Sequence, residues 1–256
     1  MEKNVETITS RSNPVCVHIK KLGSDKSYRH KCGEFLCDGE KLLKEAIDSG
    51  AEVITVLTSK VLKFTLSAET QVYNVKNDLI DSLSPLKNPQ GVLFTCNISD
   101  RSNTDFSTGT FILLDNIQDP GNVGTIIRTA GAFEIPGIIV TKGCADIYNP
   151  KTIRASMGAI FKQKIIYMDH DEIINIKQTG LKLLGASNDT SSIDLTDIDL
   201  TDSIIIIGNE GQGISNRLLS HCDELIKIPI SQKCESLNAA TAASIIIWEA
   251  SRERII

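Results

Sequence analysis

FILLDNIQDPGNVGTIIRTAGAF, residues 111–133, is the stretch that decides the fold. Phe111 to Leu114 is a short apolar run with the length of a buried strand, and it breaks into the turn formers Asp115, Asn116, Asp119, Pro120 and Gly121. Asn122 is placed to cap a following helix whose apolar stripe is Val123, Ile126, Ile127 and Ala130. Thr125, Arg128 and Thr129 fall on the polar edge. A strand therefore delivers a polar loop, and a helix carries one arginine beyond it.

The same alternation runs outward in both directions. Downstream, strands are predicted at 137–141, 164–167, 181–186, 203–207 and 225–228, with helices between them. The run Ile204 to Ile207 is apolar on both faces, as in a central strand of a parallel sheet covered on both sides. The last helix, from about Ala239 to Glu253, begins with small residues (Ala239, Ala240, Ala242, Ala243) and allows close backbone approach. Upstream, Asn13 and Pro14 fit the N-cap and first position of a helix, VCVHIKKL, that Gly23 stops. A strand at 35–37, a helix at 39–49, strands at 53–58 and 72–75, a helix at 77–83 and a strand at 91–96 complete a small α/β unit. NISDRSNTDFSTG, residues 97–109, is polar and turn-forming and reads as the linker.

The 256 residues are 41% hydrophobic, enough for one large or two ordinary cores, and no apolar run approaches the length of a membrane helix. With no apolar signal segment after the polar start, a cytoplasmic protein is expected. The seven cysteines are odd in number and form no CxxC pair. They read as reduced and mostly structural, and the spacing of His18, His30, Cys32 and Cys37 fits no common zinc pattern. A net charge of −5 argues against a uniformly basic nucleic-acid binder. Charge is uneven, however: Arg11, Lys20, Lys21, Lys26, Arg29 and Lys31 stand against Asp25 alone across residues 11–31, a pattern that fits either a solvated face or the footprint of a phosphate-binding surface.

Two later stretches carry chemistry. IIIIGNEGQGIS, residues 204–215, runs a strand into Gly208, Gly211 and Gly213, where bare backbone lets a ligand approach. The glycine order is not that of a dinucleotide fingerprint, no GK[ST] follows, and only 48 residues remain, so Rossmann and P-loop sites are disfavoured. IPISQKCESLN, residues 228–238, ends in Ser236 and Asn238 at the start of the Ala-rich helix, where backbone amides lack partners.

Together these stretches resemble the SpoU (TrmH-like) family of the SPOUT superfamily, which methylates ribose 2′-hydroxyls of structured RNA with S-adenosylmethionine. The resemblance rests on Asn116, Asp119, Pro120, Asn122, Gly124 and Arg128; on Gly208, Asn209, Glu210, Gly213, Ile214 and Ser215; and on Ile228, Pro229, Ser236, Leu237 and Asn238. Ile230 replaces the methionine usual in the last motif. PKTIRASMGAIF, residues 150–161, also resembles the family and puts Arg154 and Ser156 forward as RNA or cofactor contacts. The start of the chain, through EFLCDGEKLLKEA, is similar to the L30e-like substrate domain of ribosomal RNA members.

The resemblance implies a substrate-binding domain over residues 1–100 and, over 110–256, a catalytic domain with a parallel sheet, a deep trefoil knot and a homodimer. It implies cofactor contacts at Ile207, Gly208, Gly213, Ile228 and Leu237. For catalysis it implies Arg128, oriented by Asn122 and Glu210, with Ser236 and Asn238 completing the pocket. Structured RNA, most readily 23S ribosomal RNA, is expected on Arg11, Lys20, Lys21, Arg29 and Arg154. A transfer RNA enzyme, or a non-catalytic RNA-binding protein on the same fold, is the alternative.

Overall fold

The structure, a computed structural model, describes residues 6–98, 104–231 and 233–255, so part of the expected linker lies outside the described residues. Two compact units are present. The first comprises residues 1–100 together with Asp146–Phe161, and the second comprises Arg101–Ala145 and Lys162–Ile256. Residues 146–161, inside the sequence expected to form the catalytic domain, pack within the first unit.

The first unit is built on a five-stranded mixed sheet of β1 (Glu6–Ile8), β2 (Glu34–Asp38), β3 (Val53–Thr58), β4 (Gln71–Val75) and β5 (Val92–Asn97), in the order β1-β4-β3-β5-β2. β1 and β3 flank β4 in parallel, while β5 runs antiparallel to β3 and β2. Asn13 caps α1 (Pro14–Ser24) by accepting from the Val15 amide at 2.9 Å. The basic stretch behind it forms a second helix, α2 (Lys26–Cys32), capped by Asp25 and ended by Gly33 in the left-handed region. α3 (Glu40–Asp48) and α4 (Asn77–Leu83) follow the expected positions. Ile19, Leu22, Leu36, Leu57, Ile80 and Leu93 form the core between α1, α4 and the sheet.

Arg29 was expected to meet RNA and instead is 3% exposed. Its Nε and Nη2 donate to Asp146 Oδ2 at 3.0 and 2.6 Å, and its Nη1 donates to the Leu22 carbonyl at 2.6 Å. A buried guanidinium needs such a partner, and the partner lies 117 residues away. The pair, with Tyr148 and Phe161 against Phe35 at ring-centroid distances of 4.7 and 6.2 Å, fixes residues 146–161 on the first unit. Ser156 is likewise buried, its hydroxyl donating to the Ile153 carbonyl, so it contacts neither RNA nor cofactor.

The second unit holds a seven-stranded sheet in which every pairing is parallel. Its strands are β6 (Phe111–Leu114), β7 (Ile138–Val140), β8 (Ile165–Tyr167), β9 (Lys182–Ala186), β10 (Ile193–Asp194), β11 (Ser203–Ile207) and β12 (Glu224–Lys227). The order is β10-β12-β9-β11-β6-β7-β8. β11 is central and wholly buried, as its isoleucine run requires. The helices are α5 (Pro120–Ala132), α7 (His170–Ile176), α8 (Asn216–Leu219) and α9 (Ala239–Ile255); α6 (Pro150–Ser156) belongs to the first unit. From β6 the chain steps outward to β7 and β8, then crosses to β9 and returns to place β11 beside β6. The strand order thus turns back between β6 and β11, and ligands of parallel sheets usually lie beyond the carboxyl ends of the strands at such a point. All seven cysteines are free, and burial pushes the Cys222 thiol up to about 11, away from reactivity. Among the described residues, no helix is long and apolar enough to cross a membrane.

Candidate active site

The loops leaving β9, β11 and β12 and the start of α9 enclose a cavity of about 450 Å³, within the range of cofactor sites. Gly208, directly after β11, is required by close packing: a Cβ there would come within 2.4 Å of the Gly213 and Ile214 backbone. The close approach follows from Asn209 and Gly213, whose amides and carbonyls pair reciprocally at 2.9 Å and whose turn closes through Gly213 at φ +69°. A hydrogen-bonded seam ties this loop to the one after β6. Ser215 N donates to the buried Asp115 Oδ2 at 2.7 Å, and Asn209 Nδ2 donates to the Asn116 carbonyl at 2.8 Å.

Ile207, Gly208, Gly213, Ile228 and Leu237 all line the cavity, as do Glu210, Ser236 and the variant position Ile230. Asn122 and Asn238 lie outside the lining but join Glu210 in a chain with a fixed polarity. Asn238 Oδ1 caps α9 by accepting from the amides of Ala240 and Thr241 at 2.9 and 3.3 Å, so its Nδ2 faces Asn122 and donates to Oδ1 at 3.1 Å. Asn122 Nδ2 is then left to donate to Glu210 Oε1 at 2.7 Å. The helix terminus thereby dictates both amide orientations and presents Glu210 Oε1 with an N–H donor.

Asn122 does not cap α5. Asp119 does, accepting from the Asn122 amide at 2.8 Å, which starts the helix at Pro120 and frees the Asn122 side chain for Glu210. Arg128, two turns on, is exposed and outside the cavity lining. Arg11, Lys20, Lys21 and Arg154 are exposed on the first unit.

The cavity combines apolar walls, including Ile226, Leu219 and Ile246, with the carboxylates of Glu210 and Glu235. Lys227, the one lysine among its described lining residues, is paired with Asp194 at 3.6 Å. Such a lining suits an uncharged nucleoside joined to a cationic group and repels a pyrophosphate.

Residues 109–248, more than half of the chain, match the SpoU rRNA Methylase family, and residues 13–93 match the MRM3-like substrate binding domain. The chain belongs to the SpoU rRNA methylase family and is an RNA methyltransferase on the SPOUT fold. It is 30% identical to the 23S rRNA (guanosine(2553)-2′-O)-methyltransferase RlmP of Bacillus subtilis over 95% of this chain and 98% of that protein. It is 32% identical to the 23S rRNA (uridine(2479)-2′-O)-methyltransferase of Streptomyces viridochromogenes, over 97% and 92%. The crystal structure of an AdoMet-bound rRNA methyltransferase from Sinorhizobium meliloti superposes with a TM-score of 0.87 at 29% identity, covering 98% of this chain and 99% of that one.

Proposed function

We propose that the protein transfers the methyl group of S-adenosylmethionine to a ribose 2′-hydroxyl of large-subunit ribosomal RNA, in the cytoplasm where that RNA is assembled. The observation that carries this reading is the convergence of three distant loops on one cavity, with the Asn238–Asn122–Glu210 chain at its edge. S-adenosylmethionine is the cofactor, and it supplies an electrophilic methyl carbon on a sulfonium. The residues fit it: Ile207, Gly208, Gly213, Ile228 and Leu237 would hold the nucleoside, and the carboxylates of Glu210 and Glu235 favour its positive charges. We read the chain reversal at β11 as the trefoil knot of the fold.

Transfer requires the 2′-oxygen to be placed in line and its proton polarised. Arg128 is the donor for that task in this proposal. A guanidinium remains protonated, so it grips a phosphate or the 2′-oxygen by charge-assisted hydrogen bonds and does not act as a base. Because Arg128 stands outside its own cavity, the reading requires a homodimer in which it serves the site of the second copy. The exposed Ile245 and Trp248 of α9, which packs with α5, offer the apolar face. Arg128→Lys keeps the charge and loses the fork, and is expected to cut kcat by about 100-fold with unchanged S-adenosylmethionine affinity by calorimetry. Asn122→Asp replaces the donor to Glu210 with a second carboxylate, and methyl transfer from labelled S-adenosylmethionine is expected to fall about tenfold or more. Charge reversal at Lys20 and Lys21 is expected to weaken RNA binding and flatten its salt dependence, read by filter binding from 50 to 200 mM salt.

The test of function is methyl incorporation from labelled S-adenosylmethionine into unmodified ribosomal and transfer RNA, followed by mapping of 2′-O-methyl positions. Methylation of 23S RNA supports the reading, and methylation of transfer RNA alone redirects it. Cofactor binding without incorporation into either RNA would overturn it.

A further inference from the structure

Within the first unit, α3, the segment 84–90 and α6 enclose a second cavity of about 200 Å³. Its walls are Leu42, Leu86 and the side chain of Met157, its polar edges are Asn88, Gln90, Lys41 and Arg154, and the carboxylates of Asp38 and Glu45 complete the lining. Met157 is 51% exposed, although it is apolar, and it stands in the left-handed region at φ +49° as the C-cap of α6. A long side chain held there is set by the surrounding structure, since the conformation disfavours it.

The rim is built rather than loose. Ser84 Oγ donates to Asp38 Oδ2 at 2.5 Å and Gln90 N donates to Asp38 Oδ1 at 3.2 Å, which ties both ends of the 84–90 segment to the end of β2. Gly39, at φ +119°, lets Gln90 lie against its backbone: a Cβ would meet Gln90 Oε1 at 2.7 Å. Burial pushes the Asp38 carboxyl above its usual range, against the hydrogen bonds from Ser84 and Gln90 and the charge of Arg154. The side chains of Lys41 and Arg154 make no ion pair within 4 Å among the described residues. Lys41 and Arg154, with the Asp38 oxygens already taken by Ser84 and Gln90, two side-chain amides and apolar walls match a base with its phosphate better than a peptide, whose backbone would need a strand edge or a helical groove.

We propose that this slot takes one unpaired nucleotide of the RNA substrate, its base between Leu42, Leu86 and Met157, its edge on Asn88 and Gln90, and its phosphate on Lys41 and Arg154. The inference rests on the RNA reading above and adds a recognition site to it. Its position matters because Arg154 and Met157 come from the methylase sequence, whereas Lys41, Asn88 and Gln90 come from the substrate-domain sequence. Neither part of the sequence makes the slot alone.

The experiment uses the full chain and two variants, Met157→Asn, which tolerates the left-handed backbone, and the double variant Lys41→Ala, Arg154→Ala. Saturation-transfer NMR with the four nucleoside 5′-monophosphates is expected to give base-proton signals with the wild type and none with Met157→Asn. Binding of unmodified 23S RNA is expected to weaken roughly tenfold or more in both variants, with wild-type Tm and S-adenosylmethionine affinity. Wild-type RNA affinity in both variants, or nucleotide signals that survive both, overturns the proposal. Wild-type chain that binds nucleotides in the slot but methylates no RNA would sustain this inference and reject the enzymatic one.

Discussion

An Asp146→Ala variant is expected to lose about 3–5 kcal/mol of stability, a large share of the roughly 5–15 kcal/mol that holds an ordinary protein together. The reason is desolvation. Arg29 is 3% exposed, and without Asp146 its charge keeps, among the described residues, the Leu22 carbonyl as partner in a medium that does not solvate ions. The loss is expected in the first unit. Trp248, the chain's one tryptophan, lies in the second unit, so its fluorescence should report a separate, later transition in urea while circular dichroism shows the early one. Replacing both partners by apolar residues, Arg29→Met with Asp146→Leu, is expected to restore most of the deficit. A single variant that unfolds within about 1 kcal/mol of wild type would mean that water reaches Arg29.

Gly208→Ala is expected to abolish measurable cofactor binding, a loss of about 100-fold or more in affinity. The added methyl would sit 2.4 Å from the backbone carbon of Gly213 and the nitrogen of Ile214, and no side-chain rotation relieves a backbone clash. The Asn209–Gly213 pairing must open, which costs about 1–3 kcal/mol of strain and removes the cavity's floor. Calorimetric titration with S-adenosylmethionine measures it directly. Gly211→Ala is the control, because a Cβ there meets only Asn209 Oδ1 at 3.7 Å. Near-equal affinity for the two variants would show that the cavity is not the cofactor site.

The two predictions also mark where sequence reading worked and where it stopped. β6 and β11 were legible to the residue, because four or five consecutive branched apolar side chains between turn formers suit a central parallel strand. The close backbone approach at Gly208 and Gly213 was legible because glycine constrains backbone, and backbone constraint is local; Ile207, Ile228 and Leu237, which line the same cavity, were put forward by the family resemblance. Arg29 was misread for the opposite reason: charge spacing along residues 11–31 says nothing of which arginine is buried, and Asp146 lies on the far side of the linker. The Asn122 cap failed on a smaller scale. Asp119 three residues earlier captured the helix start and left Asn122 to Glu210, a partner 88 residues away. The short edge strands β1 and β10, of three and two residues, carry too few side chains to show a period.

The passage of residues 146–161 into the first unit bears on how such a chain could be rearranged by recombination. An exchange at the linker would carry off the amino-terminal sheet without the carboxylate that neutralises Arg29 and without Tyr148 and Phe161 against Phe35. The grafted module would arrive with an orphaned cation and a bare aromatic face. Compatible swaps would have to take both pieces together, so the two halves of this gene are bound to diverge in step.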